Sequence, residues 1–463
     1  MLSAESFWTS SLRLTTEGER LSRILAAAIT AVEPGAAVRR FVRRDGDMLT
    51  ISGRAYDLQL FRRVVLLGMG KASMVMTEAL AAVLGSCVDD ALVVTKHSRL
   101  SILNFQLETC NLPMVLEGGH PVPDERSLEA GRKVIELVSG LQADDLLFCL
   151  ISGGGSALVT TPVEGVSLSD IQMFTSALLA CGARIDEINA LRRRLDLVKG
   201  GGIAKMANGA TIVSLILSDV VGSTLEAIAS GPTAPDPARR TEALSILSKY
   251  ELEDQIPLSI LHALRSSPET PKPDDPIFEK VQNVIVGSNL LAAQAALKQA
   301  DEEGFHAYLL RTDLQGEARQ TAFELATFLR QARLTGDPVP PPACIVVGGE
   351  TTVTLRQSSG QALTGIGGGG RNTELALAAV SELADFPGVM LVTLATDGED
   401  GSTDAAGAVV TGETFRRAAK LGLHPGDFLE RNDSYSFFSA LDDLLKPGPT
   451  GTNVNDLVFL FVW

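Results

Sequence analysis

Lys71 stands in GMGKAS (68–73), Asp219 in SDVVGS (218–223), Glu350 in VGGET (347–351) and Asp397 in ATDGEDG (395–401). A fifth loop, SGGGSAL (152–158), sets Ser152 and Ser156 around Gly153, Gly154 and Gly155. Each residue type suits a task. A lysine is a point charge for a phosphate or carboxylate. An aspartate at a strand end handles Mg²⁺ or the proton of a substrate hydroxyl. Glycines let a ligand approach the backbone closely. In GGGGRN (367–372) Arg371 opens a helix behind Gly369 and Gly370, beside Asn372, where a guanidinium can clamp an oxyanion in two-pronged fashion. SGGGSAL is not the GxSxG of a hydrolase elbow, and no two histidines pair at metal-ligand spacing. Positive charge, carboxylates and no obvious nucleophile suit a site that works on an anion by positioning and electrostatics, phosphoryl transfer being one such reaction.

The five loops share one kind of place. Each follows an apolar run that reads as a strand: VVLLG, DLLFCLI, TIVSLIL, ACIVV and VMLVTLA. Ligands in open α/β sheets bind at the carboxyl ends of strands, where helix N-termini and bare N–H groups favour anions. Helical spacing over ERLSRILAAAITAVE (19–33), closed by Pro34-Gly35, over 71–84 and over SNLLAAQAALKQADEEG, EARQTAFELATFLRQARL and RNTELALAAVSELA separates the strands. ALVVTK (91–96), VQNVIVG (281–287), HAYLLRT and DLVFLFVW read as further strands, and 351–368 as a hairpin. Strands alternating with helices predict a parallel sheet covered on both faces. Residues 234–280, rich in Pro and charge, read as the boundary, giving a first domain at 1–240, a linker at 241–280 and a second domain at 281–463.

GMGKAS fits neither familiar nucleotide fingerprint. A dinucleotide site needs GxGxxG and an acid ending the next strand; this chain has GxGxxS and then Thr95, Lys96 and His97. A Walker loop needs a glycine where Val65 stands. What survives is Lys71 at the start of a helix, the end where a cation is disfavoured unless an anion joins it, flanked by Gly68, Gly70 and Ser73.

The chain has 463 residues, 45% of them apolar, and a net charge of −16. That excludes a duplex-binding surface, so nucleic acid is not an expected partner. Five scattered cysteines suggest neither disulfides nor a zinc site; Cys149 and Cys344 lie in apolar runs as core filler. No secretory leader or membrane-spanning run is read, and a cytoplasmic protein, monomer or homodimer, is expected. The clearest basic cluster is LRRRLDLVKGGGIAK (191–205), with Arg192, Arg193, Arg194, Lys199 and Lys205. Half of these suit a solvated helix face, while Lys199 before three glycines resembles an anion-facing helix end. His120, between Gly119 and Pro121, is open to a rigid-turn or an acid–base reading.

GMGKAS, GGHPVPDE, LISGGGSAL, LVKGGGIAK, LSDVVGSTLEAIASGPTAPD, GGETTVTL, GGGGRNTELALA, ATDGEDGSTDAAGA and GTNVNDL, in this order from about residue 20, resemble the glycerate 2-kinase family. The resemblance implies an N-terminal Rossmann-like α/β/α domain and a C-terminal mixed α/β MOFRL domain, with the site in the cleft between them. It implies transfer of phosphate from ATP, with Mg²⁺, to D-glycerate, giving 2-phosphoglycerate. Lys71 and Arg371 are then the leading catalytic positions, with Asp219 and Lys199 behind them and Asp219 or Asp397 at the metal. The chain departs from the family's usual His and Ser before KGG, with Arg194 and Asp196, and from its two acids after SDVVG, with Ser223 and Thr224. The rival readings are an NAD(P)H-dependent hydroxypyruvate reductase, phosphorylation at the 3-hydroxyl, and a non-catalytic sensor of sugar acids or nucleotides.

Overall fold

The computed structural model describes residues 2–96, 113–355 and 368–463. His97, Cys110, Gly367 and most of the hairpin expected over 351–368 lie outside them. The chain forms two compact units, Pro34–Val286 and Met1–Glu33 with Gly287–Trp463.

The Pro34–Val286 unit opens with a helix, Pro34–Phe41, so Pro34 starts a new helix where the sequence suggested only an end. An antiparallel meander follows: β1 (Val42–Asp45), β2 (Met48–Ile51) and β3 (Arg54–Asp57). Its main sheet comprises β4 (Val64–Met69), β5 (Asp90–Thr95), β6 (Met114–Glu117), β7 (Leu146–Ile151), β8 (Thr211–Leu217) and β9 (Val281–Gly287), in the order β6-β5-β4-β7-β8-β9. The pairs β4/β5, β4/β7, β5/β6 and β7/β8 are parallel. VVLLGM and LLFCLI are buried at every position, as strands covered on both faces must be. Val65, Leu67, Cys149 and Ile151 pack under helix Glu125–Ser139. Gly68 points the other way, so close to helix Ser73–Leu84 that an added Cβ would stand 2.8 Å from Thr77 Oγ1.

Residues 241–280 do not stand outside this unit. Helices Arg240–Lys249 and Leu258–Ser266 bury Ala243, Leu247, Ile260 and Leu264 against Phe174, Leu178, Ile188 and Leu191. The charges that made the stretch look like a linker are engaged in ion pairs: Arg194 donates to Glu269 at 2.7 Å, and Arg193 Nε to the buried Asp236 at 2.7 Å. β9, read as opening the second domain, instead flanks β8.

The other unit carries β10 (His306–Leu314), β11 (Ala343–Gly349), β12 (Val389–Ala395), β13 (Gly407–Thr411), β14 (Leu444–Leu445) and β15 (Asp456–Val462), ordered β10-β11-β15-β12-β13-β14. Only β10/β11 is parallel; every other pair is antiparallel. Helices Ala318–Thr335 and Arg371–Glu382 cover one face with Leu325, Leu329, Leu375 and Val380.

The N-terminal segment belongs here by specific bonds. Arg23 Nε donates to Glu303 at 2.6 Å. The Ser11 N–H and hydroxyl donate to the two oxygens of buried Asp443 at 2.7 and 2.8 Å, and Arg417 donates to the same carboxylate at 2.6 Å. Burial raises the Asp443 carboxyl and Arg417 opposes that rise. Asp443→Ala leaves Arg417 and Ser11 without their acceptor, and is expected to destabilise the protein by about 2–4 kcal/mol, read as a lower thermal midpoint by calorimetry.

Among the described residues no single helix is long and apolar enough to cross a membrane.

Candidate active site

Parallel pairing of β4 with β7 brings Met69 opposite Ile151, so GMGKAS and SGGGSAL emerge side by side. Backbone bonds lock them together: Ser152 N–H donates to Met69 O at 3.0 Å and Lys71 N–H to Gly153 O at 3.0 Å. The Ser152 hydroxyl, buried, accepts from Ala72 N–H at 3.0 Å. Ser73, also buried, donates to Gly70 O at 2.8 Å. Ser152, Ser73, Gly68 and Gly70 therefore build the corner, and their polar atoms face protein. Lys71 is the exception. Its side chain is exposed and, among the described residues, its ammonium has no partner.

Gly154 has φ +86°, and a Cβ there would lie 3.0 Å from the His120 ring and 3.3 Å from Lys71 Cγ. The imidazole and the lysine stem thus meet over one glycine. Burial, then the charges of Lys71 and Lys96, lowers the His120 pKa to about 4, so the ring is neutral at physiological pH. On the other side of the loop the Asp219 carboxylate lies against Gly153, with Oδ2 2.0 Å from where a Cβ would be. Lys71, His120 and Asp219 accordingly surround SGGGSAL. The turn behind it holds Ala229 and Ser230 at φ 50° and 62°, a left-handed conformation that costs non-glycine residues energy. It sets Ser230 Oγ 2.9 Å from Ser156 Oγ. Gly153→Ala is expected to displace the Asp219 carboxylate, a movable side-chain end, and lower turnover about 10–100-fold, with a near-native melting midpoint as the control.

The basic cluster divides. Arg193 and Arg194 are buried in the ion pairs already described. Lys199, 7% exposed, donates to Asp196 at 2.6 Å. Asp196 also accepts from Thr160 Oγ1 at 2.6 Å and from Val198 N–H at 3.0 Å. Lys199 is thus tied into a buried polar network, unlike the open ammonium of Lys71. Arg192 alone of the three arginines has no side-chain partner among the described residues.

In the second unit Arg371 lies between two carboxylates. Nε and one terminal nitrogen grip Asp456, the latter at 3.2 Å, while the other terminal nitrogen donates to Glu350 at 2.8 Å. Burial pulls the Arg371 pKa down, but Asp456 and Glu350 outweigh it and hold it above the usual guanidinium range. Burial pushes Asp456 up to about 6 against the pull of Arg371. Asp397 is also raised, by burial first. The helix start at 371 was expected to face a ligand through Gly369, Gly370 and Asn372. Instead the buried Asp400 takes the N–H groups of Gly370 at 3.1 Å, Asn372 at 3.0 Å and Thr373 at 2.8 Å. Gly369 packs on Ser434. This helix end already holds its anion.

The sequence reading missed Asp456 and the capping role of Asp400, and left His120 open. Cys149 and Cys344 are fully buried, and burial lifts the Cys149 thiol to about 12, so both are inert core residues. Among the described residues no group of three or more His, Cys, Asp or Glu side chains is arranged to hold a metal ion by itself.

Residues 20–265 match the family model described as Domain of unknown function (DUF4147), and residues 343–456 match the MOFRL family. The chain is 38% identical to a glycerate 2-kinase of Pyrococcus horikoshii, over 95% of this chain and 96% of that one. It is 39% identical to a putative hydroxypyruvate reductase of Agrobacterium vitis, over 85% of this chain and 86% of that one. The crystal structure of glycerate kinase from Thermotoga maritima aligns with a TM-score of 0.82 at 38% identity, covering 95% of this chain and 98% of that one. Both halves of the chain and its fold from end to end are matched, and the chain belongs to the glycerate 2-kinase family.

Proposed function

We propose that this protein transfers the terminal phosphoryl group of ATP to the 2-hydroxyl of D-glycerate, giving 2-phosphoglycerate and ADP. The observation that carries the reading is the exposed Lys71 ammonium, unpaired among the described residues, beside neutral His120 at the carboxyl end of β4. Lys71 meets the oxygens of the transferring group, where charge must be neutralised. Gly154 admits them to the backbone beside it, and neutral His120 accepts a hydrogen bond from a hydroxyl. Asp219 orients that hydroxyl or contributes to Mg²⁺ binding, and the family resemblance makes Arg371 a further catalytic position.

Mg²⁺ commonly takes one or two carboxylates and lets substrate phosphates and water complete its shell. Asp219, a single carboxylate set on the glycine loop, fits that pattern, as does Asp397; bound there, the ion would neutralise phosphate charge. A cytoplasmic location goes with ATP as the donor.

The test is ADP release on D-glycerate, coupled to a readout that separates 2- from 3-phosphoglycerate. ADP release with 2-phosphoglycerate is the expected result. Formation of 3-phosphoglycerate would overturn the regiochemistry. Oxidation of NAD(P)H by hydroxypyruvate without ATP would replace the reading by a reductase. The end of β5 speaks against that outcome, since Thr95 and Lys96 stand where a ribose-binding acid belongs.

A further inference from the structure

A cavity of about 70 Å³ in the Pro34–Val286 unit is lined by Arg192, Lys199, Ser156 and Pro121, with Phe174 and Leu195 as apolar wall. It adjoins the Lys71 corner through two chain neighbours: Ser156 ends the glycine loop and Pro121 follows His120. We propose that this cavity is the carboxylate subsite of the hydroxy-acid substrate and that Arg192 is the residue that recognises the carboxylate; this rests on the kinase reading above.

Four observations carry it. Arg192 is half-buried at the end of helix Ile185–Arg194, and among the described residues no carboxylate meets its guanidinium. Burial disfavours its charge, yet a guanidinium does not give up its proton in proteins, so the cost stands until an anion arrives. The one acid among the described residues of the cavity wall, Asp196, is not available: Lys199, Thr160 and the Thr161 and Val198 N–H groups occupy its oxygens. Lys199 uses one of three ammonium hydrogens on Asp196, which leaves donors for a guest.

Size and shape select the ligand. At ~10–15 Å³ per water-sized probe, the cavity admits a carboxylate with its neighbouring carbon and hydroxyl, and not a triphosphate. A planar carboxylate matches the fork of a guanidinium, and an apolar wall strengthens that pairing. The partition of labour follows: Arg192 holds the acid end while Lys71 handles phosphate.

The experiment compares Arg192→Gln and Arg192→Lys with wild type in ADP release, and in calorimetric titration with D-glycerate without ATP. Arg192→Gln is expected to raise KM for D-glycerate about 100-fold and to narrow the preference for D-glycerate over glycerol, which lacks the carboxylate. KM for ATP is expected to stay within about twofold, and Arg192→Lys to recover part of the loss. An unchanged KM and unchanged D-glycerate binding in a folded Arg192→Gln protein overturn the proposal. Should that variant not fold, the Arg192→Lys comparison decides in the same way. Should wild type release no ADP, the kinase reading fails, and titration with D-glycerate, lactate and hydroxypyruvate still tests the subsite. Binding lost on Arg192→Gln then supports it, while no binding, or binding indifferent to Arg192, overturns it.

Discussion

Lys71→Ala is expected to lower kcat/KM for D-glycerate phosphorylation about 10²–10³-fold, roughly 2.7–4 kcal/mol of transition-state stabilisation. The side chain is exposed and makes no bond among the described residues, so its loss removes no ion pair there and only the contact of its stem over Gly154. An unchanged melting midpoint beside collapsed turnover is therefore the signature; near-wild-type turnover refutes the role. The substitution also reports on His120. Burial, then Lys71 and Lys96, holds that imidazole near pKa 4, below its unfolded value of about 6.5. Between those values the unfolded chain binds a proton that the folded one does not, so stability falls as pH drops from about 6.5 to about 4. Without the Lys71 charge the His120 pKa rises and that window narrows. The acid-side loss of stability in Lys71→Ala is then smaller than in wild type, which thermal melts from pH 4 to 7 measure.

The parallel half of the molecule was legible because its signals are local. VVLLGM, DALVVT, LLFCLI and TIVSLIL are continuous apolar runs, and each stops at a polar or glycine-rich loop. Lys71 and Asp219 follow directly from looking at the carboxyl ends of such strands. Harder were features made by distant partners. Pro and charge around 234–280 read as linker because composition does not show that Arg193 finds Asp236 or that Arg194 finds Glu269. The docking of the first 33 residues on the second unit depends on Ser11 meeting Asp443 and Arg23 meeting Glu303, pairs that no periodicity announces. His120 stays open in the sequence between a rigid turn and an acid–base role; its position over Gly154 beside Lys71 depends on the fold.

Asp456 escaped for a topological reason. In a parallel sheet the residues that meet a ligand stand at the carboxyl ends of strands. β15 runs antiparallel between β11 and β12, pairing Asp456 with Gly349 and with Ala395, so an amino-terminal residue reaches the edge where those two strands end. VGGET and ATDGEDG leave the sheet at that edge. One reversed strand thus sets the Asp of GTNVNDL at the edge from which Glu350 and Asp397 also leave the sheet.

That pairing makes Arg371 the second substitution with a large effect. Arg371→Ala is expected to reduce turnover about 10²–10³-fold and, unlike Lys71→Ala, to destabilise the protein, because it strips the buried Asp456 of its cation. The size of the second effect depends on pH. Burial already raises Asp456 to about 6, above an unfolded aspartate near 3.9. A carboxyl raised in the fold contributes stability below its unfolded pKa and loses it as pH climbs through the folded one. Removing Arg371 takes away the charge that opposes burial and lifts Asp456 further, so the loss of stability extends to higher pH. The gap in melting midpoint between wild type and Arg371→Ala should therefore widen from pH 5 to pH 8. Arg371→Ala combined with Asp456→Asn removes the buried charge altogether and separates the two roles. If Arg371 touches the reacting phosphate, the double variant regains stability at pH 8 but not turnover. Recovery of turnover along with stability would reduce Arg371 to a partner for Asp456 and leave the positive charge of the reaction to Lys71.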